Sequence, residues 1–331
     1  MNRALKAIAI LMLVMVFAAG CTKPSNTDRI VPQGAINGLF SISESAQVYF
    51  SQGNLQYQAS TDKWRFAENQ WEFVGGVESE PERESGNVYD EQGKKCDNTL
   101  ISENYDGWID LFGWGTSGWN NGNIYYHPYD YDFYIYGSYN GISLSSYDLS
   151  VGFGFGPTDG VSYDFDLRGE YANADWGVYN KIEDADQYGW YTLSEDEWRY
   201  ILVDRNTSSG IRYAKGKVNG VNGVILFPDD WESSSNINNA NDRNGRYDSN
   251  IISSIRWKSM EKRGAVFLPA AGYRFDGSWL SDSGRYGCYW TSSSVPYGGA
   301  MRVYFLDANL HTELACNKYN GLSVRLVCPA E

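Results

Sequence analysis

Histidine is nearly missing from this 331-residue chain, which holds only His127 and His311. That scarcity excludes a histidine-rich metal centre and leaves little material for a Ser-His-Asp or Cys-His relay. Basic residues are also short, 27 Lys and Arg against 41 Asp and Glu, for a net charge of −14. A surface of that sign repels nucleic acid and anionic lipid headgroups, so neither is an expected partner. Signature motifs are lacking too: there is no H-E-x-x-H, no C-x-x-C and no G-x-S-x-G. "GTSGW" (115–119) misses the nucleophile elbow by one residue, and the glycines of "GFGFG" (152–156) lack dinucleotide-binding spacing. Beyond the N-terminus no stretch is long and apolar enough to span a bilayer.

What is present begins with the first 21 residues. Arg3 and Lys6 precede the apolar run "AIAILMLVMVFAAG", which is shorter than the roughly 20 residues a membrane span needs and has the layout of an export signal. The ending "AAGC" resembles the lipobox of bacterial lipoproteins, which implies cleavage after residue 20 and lipidation of Cys21. Residues 21–36 are polar and contain proline, as a tether should. Loss of Arg3 and Lys6 with residues 1–20 takes the formal charge from −14 to −16. The membrane is therefore expected to be met only through a lipid anchor, in the cell envelope.

Aromatic residues make up 16% of the chain, with 26 Tyr and 12 Trp, and glycine is abundant. This composition suits short strands and many turns. In residues 48–71, Val48 and Phe50, Leu55 and Tyr57, then Trp64 and Phe66 recur with period two, which predicts a three-strand meander. Residues 107–165 form an aromatic-rich insertion with seven tyrosines between 125 and 139. It is either a sugar-stacking surface or an irregular segment covering its own backbone.

Two helices are predicted. In "TLSEDEWRYIL" Ser194 and Glu197 form a capping box, with Leu193 and Trp198 at the staple positions and Ile201 and Leu202 extending the apolar stripe. In "SSIRWKSMEKRG" Ser253 or Ser254 is the cap, Trp257 and Met260 the inner face, and Gly264 the terminator. Strands, two helices and strands again, without alternating βαβ units, predict an α+β fold with antiparallel strands. The expected organisation is one large domain over residues 37–331. It divides into a β-meander and loop (37–106), the insertion (107–165) and a core (166–331).

No cofactor is expected, calcium aside. "DFDLRGEYANAD" places Asp164, Asp166, Gly169 and Asp175 at positions 1, 3, 6 and 12 of a calcium loop, but Arg168 occupies position 5 and the closing residue is not Glu. Cys96, Cys288, Cys316 and Cys328, an even number in an exported chain, permit two disulfides with three possible pairings.

The pieces "ADWGVYNKI", "GWYTLSEDEW", "NGVILFPDDW", "GAVFLPAAGYR", "GCYWTSSS" and "GLSVRLV" carry a family likeness. The chain resembles surface lipoproteins of Bacteroidetes-type bacteria whose C-terminal half is C-type-lectin-like. The relatives include the Fibrobacter succinogenes major paralogous domain and the Legionella collagen-like adhesin C-terminal domain. The resemblance implies a non-catalytic, outer-membrane protein that binds a glycan or protein ligand through the face between the late strands. The Glu-Pro-Asn or Gln-Pro-Asp signature of calcium-dependent lectins is replaced by "VPY" at 295–297.

Read as one strand, "AMRVYFLDANL" puts Met301, Val303 and Phe305 on one face and Arg302, Tyr304 and Leu306 on the other. Arg302 and Tyr304, with Tyr297 from the preceding turn and Asp307, Asn309, His311, Asn317 and Tyr319 from a following loop, make either a recognition patch or an ordinary solvated surface. The alternative function is a secreted hydrolase that uses carboxylates on carbohydrate near insertion aromatics such as Tyr126 and Tyr129.

Overall fold

The computed structural model describes residues 29–76, 85–119, 127–128, 166–187, 189–232, 236–275, 279–295, 299–318 and 320–330. Of the sequence-predicted residues, Cys21, Tyr126, Tyr129, Asp164, Tyr297 and Tyr319 lie outside the described residues.

The fold is α+β, with short, mostly antiparallel strands and three short helices among the described residues. Strands β1 (Phe40–Ser41) and β2 (Gln47–Phe50) pair with each other. Strands β3 (Leu55–Gln58) and β4 (Lys63–Phe66) form a hairpin that β5 (Ile182–Glu183) extends in parallel. Strand β6 (Tyr191–Thr192) leads into the longer helices. A second sheet gathers β7 (Tyr213–Val218), β8 (Val221–Leu226), β9 (Ile251–Ile252) and β10 (Val266–Pro269), ordered β10-β8-β7-β9. The hairpin of β11 (Tyr273–Phe275) and β12 (Trp279–Ser281) follows. Then come the long strands β13 (Gly287–Val295), β14 (Gly299–Leu306) and β15 (Asn309–Asn317). Strand β16 (Leu326–Pro329) returns between β2 and β6, giving the order β1-β2-β16-β6.

The predicted meander is therefore divided. β2 leaves β3 and pairs with β16, matching Phe50 to Val327 and Val48 to Pro329. Period two marks a buried face but does not name the strand that covers it, and here Val48, Tyr49 and Phe50 are all buried.

The helices follow their capping chemistry. Helix α1 (Trp176–Tyr179) starts on Asp175, which accepts from the Gly177 amide. In helix α2 (Glu195–Arg199) both halves of the Ser194–Glu197 capping box are made, and a π turn, Tyr200–Asp204, continues it. Leu193, Trp198 and Ile201 are fully buried against β1 and β2 residues, including Phe40 and Phe50. Helix α3 (Ser254–Glu261) is capped by Ser253 and buries Trp257 and Met260. Its terminator Gly264 has φ +90, and a Cβ on Gly38 would stand 2.4 Å from the Gly264 carbonyl oxygen, so two bare backbones meet there.

The segment read as a tether already joins the domain at its end. Arg29 pairs with Asp230 at 2.8 Å, and the Ala35 backbone bridges to Ser51. Among the described residues no helix is long and apolar enough to cross a membrane.

Candidate functional site

The strand predicted to run through Leu310 instead ends at Leu306, and Asp307–Ala308 turn the chain back into β15. What the sequence suggested as loop from 309 to 317 is a nine-residue strand. Asp and Asn at that turn are ordinary hairpin residues, a signal overlooked because the flanking alternation passes smoothly across it.

Register then sorts the side chains, since cross-strand partners share a face. Cys288 pairs with Tyr304, Trp290 with Arg302, Tyr304 with His311 and Leu306 with Asn309. The parallel bridge Gly272–Gly287 gives Tyr273 the same side as Tyr286 and Cys288. Phe275 shares its parity with Tyr273 and pairs with Trp279. One face thus carries Tyr286, Cys288, Trp290, Arg302, Tyr304 and His311, and Cys288 and Trp290 on it are buried in a core cluster against which Tyr273, Tyr286 and Tyr304 pack; Phe275 and Trp279 belong to the hairpin alongside. The opposite face, with Tyr289, Val303 and Phe305, lies in a second core cluster.

The rings on this face form a row. Tyr286 meets Tyr304 edge-on with centroids 5.6 Å apart, and Tyr304 stacks over His311 at 6.5 Å. The Arg302 guanidinium lies 4.9 Å from the Tyr304 ring centre. Phe275 is 44% exposed and Trp279 60%. Burial holds the Tyr304 phenol well above its ordinary pKa.

Arg302 Nη1 also lies 3.5 Å from Cys316 Sγ and 3.9 Å from Cys288 Sγ. Among the described residues Cys96, Cys288, Cys316 and Cys328 are all free, so neither of the two disulfides the even count permits is formed. Burial pushes the Cys288 thiol up to about 12.

Other predicted residues are drawn elsewhere. Asp307 accepts from the Tyr247 amide at 2.8 Å and pairs with Arg246 at 2.9 Å. Asn317 pairs with Gly299 and so belongs to the opposite face. Asp166 accepts from the Ser294 amide, and the buried Asp175 accepts from Thr192 and Gly177 amides. Burial raises the Asp175 carboxyl to about 6. The 3-10 helix Gly169–Ala174 stands where a calcium loop would curl, and no group of three or more His, Cys, Asp or Glu is arranged around a metal position among the described residues.

The serine run of β13 is scaffold. Ser292 accepts from Leu167 through its carbonyl, the Ser293 hydroxyl from the Glu195 amide, and the Ser294 hydroxyl from Lys318 Nζ. Glu197 is likewise occupied, closing the capping box and accepting from Arg168.

Two concavities lie among the described residues, one of them next to this face. A cavity of about 250 Å³ adjoins the aromatic row through Tyr286 and Leu306. A larger cleft of about 470 Å³ contains Tyr57, Asp62, Glu103, His127 and Tyr179. Comparison with protein-family models, curated proteins and solved structures finds no match to this chain.

Proposed function

We propose that the chain is a non-catalytic, lipid-anchored cell-envelope protein of the outer membrane, C-type-lectin-like in fold, that binds a glycan through the face of β11 to β15. The observation that carries this reading is the row of Tyr286, Tyr304 and His311 with Arg302 on one face of β13–β15, together with half-exposed Phe275 and Trp279 on the hairpin that a Gly272–Gly287 bridge joins to β13. Flat rings beside polar side chains suit the apolar faces and hydroxyl edges of pyranoses, and they lose little conformational entropy on binding. The resemblance to surface lipoproteins of Bacteroidetes-type bacteria supports the same reading.

Trp279 is the cleaner probe, because Tyr304 also packs against the core and its removal disturbs stability. On an array of glycans and envelope or host proteins, with and without calcium, the full chain is expected to bind glycans. Trp279→Ala should weaken that binding about 30-fold, the effect of an interface hot spot, with the melting temperature nearly unchanged. Undiminished binding would remove the face from consideration, and capture of proteins alone would replace the glycan by a protein ligand.

One observation favours a second reading, a secreted carboxylate-dependent hydrolase acting on carbohydrate. The 470 Å³ cleft is lined by both Asp62 and Glu103, with His127 from the aromatic-rich insertion. General acid–base cleavage needs two such carboxylates flanking a bond. Under this reading Glu103→Gln and Asp62→Asn each abolish glycan cleavage measured by reducing-end release; binding without any cleavage by the unaltered chain sinks it.

A further inference from the structure

Three cations around the late strands each have a counter-charge: Arg243 pairs with Glu313, Arg246 with Asp307 and Arg285 with Asp282. Arg302, in the middle of β14, has none among the described residues. Its contacts are the Tyr304 ring and the sulfurs of Cys288 and Cys316. Sulfur is a weak acceptor, and Cys316 already accepts from Asn320 Nδ2 at 2.9 Å. The Cys288 thiol, pushed up to about 12, supplies no negative charge.

The three guanidinium nitrogens have different surroundings. Nε is enclosed and makes no hydrogen bond, and Nη1 points at the two sulfurs. Nη2 makes no hydrogen bond either, but it is not enclosed, and the side chain belongs to a partly exposed residue. Nη2 is therefore the atom open to a ligand. A charge partly withdrawn from water, with no counter-charge and no good acceptor, is costly. An oxyanion from outside the chain relieves that cost through charge-assisted hydrogen bonds. The net charge of −14 does not oppose this locally. Salt screens charges more than about 10 Å away, and Glu313, Asp307 and Asp282 are each neutralised by the cation paired with them.

We infer that Arg302 holds the acidic group, carboxylate or sulfate, of an acidic glycan. The inference rests on the proposed glycan-binding reading and narrows its ligand class. Nη2 donates to an oxygen of the acidic group, and the sugar bearing that group lies against Tyr304 and His311, both partly exposed.

Ligand-observed NMR on the full chain tests it, with glucose, glucuronate, a glucose sulfate ester, galactose and galacturonate as probes. At least one acidic probe is expected to bind about tenfold more tightly than its neutral parent, the gain of one charge-assisted hydrogen bond. Whichever of glucuronate and the sulfate ester binds more tightly identifies the group. Arg302→Met should abolish the preference without lowering the melting temperature, because it removes an unpaired charge. Arg302→Gln should do the same, and decides the matter if the Met variant fails to fold. Lys63→Met, which removes an exposed and paired cation on the β3–β4 hairpin, should leave the preference intact. Equal binding of acidic and neutral probes overturns the inference. So does a preference that survives the loss of Arg302, or one that falls equally with Lys63→Met. If array binding falls with Trp279→Ala while no probe shows an Arg302-dependent preference, the glycan face stands and this assignment fails. A chain that binds no glycan on the array loses both.

Discussion

Asp229→Ala is expected to destabilise the protein by about 3–5 kcal/mol, because it leaves a fully buried guanidinium without its counter-charge. The Arg205 side chain is completely enclosed and spends every donor group inside the fold. It reaches Asp229 at 2.7 Å, the Ile201 carbonyl at 2.8 Å, the Phe227 carbonyl at 2.7 Å and the Arg212 carbonyl at 3.2 Å. Asp229 in turn accepts from the Ser41 amide and hydroxyl and from Gln47. One carboxylate therefore ties β1 and β2 to the end of the α2 segment. Burial already lowers the Arg205 pKa, a sign of how little solvent reaches it. Thermal unfolding should show a drop of roughly 6–10 °C. Glu183→Ala, which breaks the exposed Lys63–Glu183 pair at 3.2 Å, is the control and should cost less than about 1 kcal/mol. Equal effects from the two would show that Asp229 is no hub.

The second large effect is expected at Trp290, in the run "GCYWTSSS". This ring is almost wholly enclosed, and its Nε1 donates to the Phe112 carbonyl at 2.7 Å. Trp290→Ala removes the largest side chain type from a core shared with Trp114, Trp176 and Leu322. About 3–5 kcal/mol of stability should be lost, read as a lower denaturant midpoint at constant slope. The Phe112 oxygen still accepts from the Leu322 amide, so the loss is chiefly a packing loss. A cost below about 1 kcal/mol would mean that Trp290 is no part of the scaffold.

Features governed by near neighbours were legible in the sequence. The capping box at Ser194 and Glu197, the Ser253 cap, the inner residues Trp257 and Met260 and the Gly264 terminator all form as the residues dictate. Each is decided within one or two helical turns. Pairing at long range was not legible. The alternation at Val48–Phe50 and Leu55–Tyr57 is real, yet the two strands enter different sheets. Of the expected patch, Arg302, Tyr304 and His311 come together, while Asp307 and Asn317 are drawn to other partners. The rings beside them, Tyr286 and, on the hairpin alongside, Tyr273, Phe275 and Trp279, were open to detection. "YRFDGSW" alternates around Asp-Gly, a hairpin signal, but only register places that hairpin beside β13. The clamping role of the serine run of β13 was not legible, because a hydroxyl's partner is invisible in one dimension.

The pairing of β2 with β16 also governs when this domain closes. Phe50 meets Val327 across about 280 residues of intervening chain, and Tyr191 joins the same strand from the middle. Loop-closure entropy for such a contact must be met before its burial contributes anything, so contacts of this span slow folding. The β3–β4 and β7–β8 hairpins can form as soon as they are made. The β1-β2-β16-β6 sheet cannot assemble until Leu326–Pro329 is available to occupy the slot beside β2. In a nascent chain this sheet therefore stays open until its last strand has been made.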